Sequence, residues 1–332
     1  MRHLIRLVLL GALLAAFIGN AFAASVMSVL GEDYTFPNKL EGLPSKLSDF
    51  GDLQINSFET SDGVKISYWE AGKGEPLIFV PGWSASGAEY VNVMFLLRKH
   101  FHVYVLDPRN QGLSGRVPYG VRISRLAMDV KEFTAHVGLK KANFCGWSMG
   151  AAVMWSYIDL FGTKAIKKIA FIDEAPSIYC HKDWPEAERL DAGGFTTSPE
   201  RMIASFQTMT PTNQLITQNH LVDRVTAMDS PYYENSVKFA QKFIKNDVQA
   251  MSLILFDHVT NDWRDIIRSK IDVPTAIFTG EYSDVLPSQH WMHSVIKGSS
   301  LYVYPKAEQG DHFLAFKNPR KFVADLISFL NH

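Results

Sequence analysis

Cysteine is scarce in this chain. Two residues in 332, Cys145 and Cys180, allow one bridge at most, so the fold cannot rest on a disulfide framework. Both are expected to be free thiols, with Cys145 serving as a small apolar side chain at the end of a buried strand. An excess of one charge is lacking too. The 33 lysines and arginines and 34 aspartates and glutamates are interspersed and leave a net charge of -1, which gives no electrostatic footprint for nucleic acid or an anionic membrane surface. Internal repeats and low-complexity segments are absent. A long apolar run occurs once, at the start. MRHLIR is basic, LVLLGALLAAFIG follows, and Ala21-Phe22-Ala23 forms a small-x-small cleavage pattern. That order predicts a signal peptide over residues 1–23, a mature N-terminus at Ala24, and an exported protein, periplasmic or secreted. An uncleaved anchor is the alternative, but a spanning helix needs about 20 apolar residues and Gly19 and Asn20 interrupt this run. After cleavage no stable membrane insertion is expected.

What is present is ordinary globular composition, 47% hydrophobic and 20% charged, at a length that suits one large domain or a domain carrying an insertion. Residues 24–52 mix Pro, Gly, Ser and charges without a period and read as an N-terminal arm lying on the body. Leu53 to Phe58 and Val64 to Glu70 alternate around Ser61-Asp62-Gly63, a hairpin signal. Short continuous apolar runs follow at Leu77–Val80, Val103–Leu106, Ala142–Cys145, Ile169–Ile172, Thr275–Phe278 and Leu301–Tyr304, the pattern of strands buried on both faces. Helical spacing appears between them, at Tyr90–Leu97, Ile123–Val137, Ala151–Phe161, Trp291–Ile296 and Phe322–Leu330. The alternation predicts an α/β fold with a mostly parallel eight-stranded sheet flanked by helices. Residues 177–265 break the rhythm with Pro and Gly punctuation and no strand that fits the sheet. They are expected to form a helical lid over the strand ends, inserted between core segments 53–176 and 266–332.

The sharpest chemical signal is Gly146-Trp147-Ser148-Met149-Gly150, directly after one predicted strand and before a helix, which matches G-x-S-x-G in its required context. A nucleophile on so tight a turn needs nearly side-chain-free residues two before and two after it, and the two glycines meet that need. A serine hydroxyl is inert until a histidine, oriented by a carboxylate, takes its proton. In this context acid and histidine follow the serine in chain order. His312, in Gly310-Asp311-His312-Phe313 after the last strand, is the expected base. Asp284, on the loop after Thr275–Phe278, is the expected acid, and Asp173 at the end of Ile169–Ile172, beside Glu174, is the alternative. Glu281 and Asp311 are read as loop-fixing groups. His290 and His293, at i and i+3, suggest a metal pair, but no third ligand accompanies them; no metal site is expected. Backbone N–H groups of Met149 and Trp83, the latter in Val80-Pro81-Gly82-Trp83-Ser84, are the expected oxyanion donors. Asp107 and Arg109, in Asp107–Gly115, are expected to hold neighbouring turns in register.

From Leu53 to Leu330 these motifs fall in the order of the α/β-hydrolase superfamily, and the sequence most resembles its cofactor-free haloperoxidase and aryl-esterase group. In that group the oxyanion motif commonly reads His-Gly-Trp. Pro81 stands here in place of the His, which keeps the backbone donor and removes a side chain that shapes the loop. The resemblance implies ester hydrolysis with peracid formation as a side activity, and no metal, haem or flavin cofactor. Ser148 excludes the aspartate-nucleophile chemistry of epoxide hydrolases and dehalogenases that share the fold. The expected function is hydrolysis of a carboxylic ester or lactone on a small molecule with an apolar acyl group. An amide or carbon–carbon bond hydrolase would use the same triad, and an inactive binding protein on this fold would lack a triad member, whereas none is missing. Trp184, Phe195, Phe206, Tyr232, Tyr233, Phe239 and Phe243 suggest an apolar lid pocket, although aromatics at helical spacing more often pack. The sequence leaves the substrate and the oligomeric state open.

Overall fold

The computed structural model describes residues 26–194, 229–244 and 246–332. The expected signal segment, residues 195–228 of the expected lid, and Phe195 and Phe206 within them lie outside the described residues. The strands are β1 (Gln54–Glu59), β2 (Lys65–Ala71), β3 (Glu75–Val80), β4 (Phe101–Leu106), β5 (Ala142–Trp147), β6 (Ile166–Ile172), β7 (Thr275–Gly280) and β8 (Ser300–Tyr304). They form one sheet in the order β1-β2-β4-β3-β5-β6-β7-β8. β1 pairs antiparallel with β2 and β2 with β4; every later pairing is parallel. The hairpin turns where the sequence places it: Gly63 takes φ +79° and its N–H donates to the Thr60 carbonyl.

The helices are α1 (Val26–Leu30), α2 (Val91–Leu97), α3 (Ile123–His136), α4 (Met149–Phe161), α5 (Glu186–Ala192), α6 (Pro231–Phe243), α7 (Val248–Val259), α8 (Arg264–Lys270), α9 (Leu286–Val295), α10 (Leu314–Lys317) and α11 (Pro319–Asn331). Because side chains alternate along a strand, each continuous apolar run feeds two cores. Leu77 and Phe79 of β3 join Val103, Val105 and Phe278 on one face, covered by α2, α10 and α11. Ile78 and Val80 join Leu106, Phe144, Phe171 and Ile277 on the other, covered by α3, α4, α8 and α9. Each fully buried large apolar side chain, Trp155 or Phe144 for example, contributes about 1.5–3 kcal/mol.

The structure differs from the expected pattern in where helices start, and it buries more of the N-terminal arm than the pattern shows. Helix α9 begins at Leu286, five residues before the expected Trp291, because Pro287 is tolerated in a first turn where its missing N–H costs nothing. Residues ahead of β1 lack periodicity yet bury Phe36, Leu47 and Phe50 in the first core. Tyr34 and Phe36 meet Phe239 of α6 with ring centroids 5.2 and 5.5 Å apart, and Asn38 and Asn235 exchange hydrogen bonds of 2.9 Å through the Asn38 backbone.

Between β6 and β7 the described residues carry helices and no strand of the sheet. The ends of this segment are stapled by an isolated bridge, Ser177 with Asp262, and by the Trp263 N–H donating to the Pro176 carbonyl. Its stretch from Asn246 to Met251 lies over the carboxyl ends of β3 and β4, touching Ser84, Asn110, Gly112 and Trp83. Among the described residues no helix is long and apolar enough to cross a membrane. Cys145 and Cys180 are both buried, with no disulfide between them.

Candidate active site

Strand β5 runs straight into α4 with one residue between them, Ser148, at φ 53° and ψ -134°. For a residue with a side chain this left-handed backbone costs roughly 1–3 kcal/mol. It persists because both sides are pinned: the Ser148 N–H donates to the Ile172 carbonyl at 2.9 Å, and the Ala151 N–H to the Ser148 carbonyl at 2.7 Å. The flanking glycines are obligatory. A Cβ on Gly146 would lie 2.6 Å from the Gly150 oxygen, and one on Gly150 would lie 1.9 Å from the Val80 oxygen.

His312 follows β8 on a turn whose approach is again set by glycine, since a Cβ on Gly310 would lie 1.9 Å from the Tyr304 oxygen. The turn is held from three sides. Asp311 accepts the Phe313 N–H at 2.8 Å and pairs with Lys317 at 2.7 Å, and Lys317, itself buried, also pairs with Asp229 at 2.9 Å. The Trp147 indole N–H donates to the His312 carbonyl at 2.9 Å. His312 Nε2 stands 3.1 Å from Ser148 Oγ, and its Nδ1 stands 2.8 Å from Asp173 Oδ2.

The carboxylate that meets His312 is therefore Asp173, a correction to the expected Asp284. Asp173 is the residue after β6, turned by a left-handed φ of 49° and anchored to β7 by its N–H on the Phe278 carbonyl at 2.9 Å. Its second oxygen accepts the Thr279 hydroxyl at 2.5 Å, so the carboxylate is fixed between two donors and only 2% exposed. Asp284 lies four residues beyond the end of β7, exposed on the turn that leads into α9. The imidazole has one Nδ1, and Asp173 holds it. Burial works against protonation of His312. The hydrogen bond that His312 donates to Asp173 and the charges of Asp173, Glu174 and Asp311 outweigh it and hold the imidazole above its ordinary 6.5.

The other expected residues fall as follows. Met149 opens α4, and Trp83 lies in the loop after β3, whose Gly82 packs so tightly on the elbow that a Cβ there would lie 2.9 Å from Ser148 Cβ. Among the described residues neither the Trp83 nor the Met149 N–H has a backbone acceptor. Met149 follows Ser148 directly, and Trp83 follows the Gly82 that packs on it. Asp107 accepts the Gly87 N–H at 2.7 Å and the Leu113 N–H at 2.7 Å, tying the loop after β3 to the loop after β4. Burial pushes its carboxyl up to about 6 against those bonds. Arg109 is spent on Asp129 and Asp62, at 2.6 and 3.0 Å, away from Ser148. Glu281 caps the turn at Lys306, and His293 bonds Ser299. Among the described residues no group of three His, Cys, Asp or Glu side chains could hold a metal ion.

Sequence reasoning missed Thr279 and Trp147 as a tie to His312; Glu174 was placed beside the alternative acid, without its partner. Glu174 is buried beside the acid and lies 3.4 Å from His258 of α7. Thr279 was findable, as the hydroxyl at the carboxyl end of the otherwise apolar β7, where Thr275 supplies the hydroxyl at the other end. The lid aromatics divide between packing and the site. Phe239 and Phe243 pack on the N-terminal arm, and Arg264 lies over the ring of Trp184. Tyr233 meets Phe313, the neighbour of His312, at 5.1 Å.

Residues 75–315 match the family of the alpha/beta hydrolase fold. A non-heme haloperoxidase of Rhodococcus erythropolis is 24% identical over 290 residues, which cover 81% of this chain and 97% of that protein. Among solved structures, an esterase from Exiguobacterium antarcticum superposes with a TM-score of 0.68 at 20% identity, covering 83% of this chain and 99% of its own. A bromoperoxidase from Bacillus anthracis gives 0.67 at 20% identity, covering 84% and 100%. With the family model spanning the sheet from β3 to α10 and the strained serine, histidine and carboxylate in their places along it, the chain belongs to the alpha/beta hydrolase fold family.

Proposed function

We propose that the protein hydrolyses a carboxylic ester or lactone through an acyl-enzyme on Ser148. The observation that carries this reading is the continuous chain from Ser148 Oγ to His312 Nε2, at 3.1 Å, and from His312 Nδ1 to Asp173, at 2.8 Å. Ser148 Oγ attacks the substrate carbonyl carbon while Nε2 takes its proton. Asp173 keeps the imidazole in the tautomer that leaves Nε2 free to accept, and stabilises the imidazolium once it forms. The N–H groups of Trp83 and Met149 receive the negative charge that develops on the carbonyl oxygen, each worth roughly 10²- to 10³-fold in rate. The imidazolium returns its proton to the leaving alcohol, and water then repeats the sequence to release the acid. Trp147 and Phe313, with ring centroids each 5.3 Å from that of His312, and Tyr233 beyond Phe313, surround the base with aromatic surface, which suits an apolar acyl group.

The name of the Rhodococcus relative favours a second outcome from the same intermediate. Hydrogen peroxide in place of water would attack the acyl-enzyme and leave as a peracid. Export is part of the proposal: the first 23 residues read as a signal peptide, and mass analysis of the mature N-terminus should start at Ala24. The test of the chemistry is Ser148→Ala. It should abolish turnover of p-nitrophenyl esters and labelling by a fluorophosphonate, and in the parent protein the label should map to the peptide containing Ser148. Retained turnover in the variant would end the proposal. A panel of esters, lactones, amides and diketones separates ester cleavage from amide or carbon–carbon cleavage by the same triad.

A further inference from the structure

The loop that presents the Trp83 N–H closes one turn of its own, from the Ala85 N–H to the Gly82 carbonyl at 3.2 Å, and is otherwise tied from outside. Ser84 takes a left-handed φ of 68°, which a serine adopts only when outside contacts fix it. Those contacts come from Asn246, far along the chain between β6 and β7. The Asn246 amide donates to the Ser84 carbonyl at 3.0 Å and to the Ser84 hydroxyl at 3.2 Å. Its oxygen accepts the Gly112 N–H at 3.0 Å. One planar amide thus joins the loop after β3 to the loop after β4, each of which has left-handed residues at the junction: Ser84 on one, Asn110 and Gly112 on the other. Next to it the Asp247 N–H donates to the Asn110 carbonyl at 3.1 Å. One turn into α7, the Met251 carbonyl accepts the Trp83 indole N–H at 2.8 Å. Two consecutive residues of the oxyanion loop are therefore each tied by a side-chain or carbonyl group of the same six-residue stretch.

We propose that Asn246 is a positioning residue for the oxyanion loop, and that docking of residues 246–251 over β3 and β4 makes the Trp83 N–H competent. The inference rests on the reading of Ser148 as the nucleophile. An asparagine suits this place because it offers a donor and an acceptor on one rigid group. Aspartate would keep the acceptor for Gly112 and set a carboxylate against the Ser84 carbonyl. Charge builds on the substrate oxygen only after attack, so a displaced donor weakens transition-state binding and leaves ground-state binding alone.

The experiment measures kcat, KM and the affinity of a trifluoromethyl ketone, which forms a tetrahedral oxyanion adduct on the nucleophile, for the full-length parent, Asn246→Ala, Asn246→Asp and Trp83→Phe. Trp83→Phe removes the indole bond to Met251, at the cost of some ring packing, and keeps the backbone N–H, so it decides the question if the Asn246 variants do not fold. The expected result is a fall in kcat of at least ten-fold with KM within two-fold. The inhibitor's affinity should fall by the same factor as kcat/KM. A folded variant that keeps the parent's kcat and inhibitor affinity, or loses thermal stability alone, overturns the coupling. Ser148→Ala is run alongside. If it is inert, such a result rejects only the role of Asn246; if it is active, the reading of the site and this inference fall together.

Discussion

The indole N–H of Trp147 donates to the backbone carbonyl of His312 across 165 residues of chain, so the residue before Ser148 holds the histidine that meets the Ser148 hydroxyl. The same ring packs at 4.8 Å from Phe316, which fixes it from behind. One side chain thereby ties Ser148 and His312 directly, in addition to the contacts that hold each of their turns.

Trp147→Phe tests this tie. Phenylalanine keeps the aromatic packing and loses the donor, leaving the His312 carbonyl unpaired by protein. A stability loss of about 1 kcal/mol is expected from the bond, together with a fall in kcat of roughly ten-fold, inside the hundred-fold that a 1 Å misplacement costs. Chemical denaturation and steady-state kinetics on the same preparation measure both. Unchanged kcat with lowered stability would make Trp147 a packing residue only.

Asp173→Asn and Asp284→Asn form a paired test of the acid. Asparagine at 173 keeps the shape but presents an amide to Nδ1, favouring the tautomer in which Nε2 carries the proton and cannot accept one. Turnover should fall by roughly 10³- to 10⁴-fold. Asparagine at 284, on an exposed turn, should leave kcat within two-fold. The reverse ranking would restore the acid expected from sequence.

That choice marks the limit of what the sequence could say about the site. Ser148 and His312 were legible because a strained strand-to-helix turn demands Gly146 and Gly150, and because the histidine follows the last strand. The acid was not, since Asp173 and Asp284 both follow strand ends. Which one reaches His312 depends on the left-handed backbone at Asp173 and on the Thr279 hydroxyl that orients it, contacts separated by 106 positions. The sheet was legible for a related reason: parallel strands covered on both faces need unbroken apolar runs, so Leu77–Val80 or Ile169–Ile172 announce themselves. Burial of Phe36, Leu47 and Phe50 was not, because an irregular arm contributes single side chains to a core without repeating at any period.

The pH dependence of kcat/KM follows from the surroundings of His312. Burial favours the neutral imidazole, but Asp173, Glu174 and Asp311 together raise its proton affinity above the ordinary 6.5. The base must be neutral to act, so activity should rise through an acid limb centred above 6.5 and fall as pH drops through it. Stability runs the other way. A raised folded-state pKa gives stabilisation that is complete below the unfolded value and lost as pH rises through the folded one. Glu174→Gln removes one of the charges and should move the limb downward in a pH-rate profile. A limb that stays in place would exclude Glu174 as a contributor.

Lys317 is the least expected side chain in the structure, a fully buried lysine paired with Asp311 at 2.7 Å and with Asp229 at 2.9 Å, while the Ser230 hydroxyl donates to its carbonyl at 2.6 Å. Burial raises the carboxyl of Asp311, next to His312, and Lys317 opposes that rise. Lys317→Met leaves Asp311 buried without this cation, and losing one member of such a pair costs about 3–5 kcal/mol. The loss should deepen as pH rises above the carboxylate range, because an Asp311 with a raised pKa is neutral below it and must ionise unpaired above it. Adding Asp311→Asn removes the second charge, so the double variant should recover much of the loss, giving a coupling energy well outside additivity. Denaturation of the two single variants and the double at pH 5 and pH 8 measures it. Additive losses at both pH values would mean that Lys317 acts through its aliphatic stem and not through its charge.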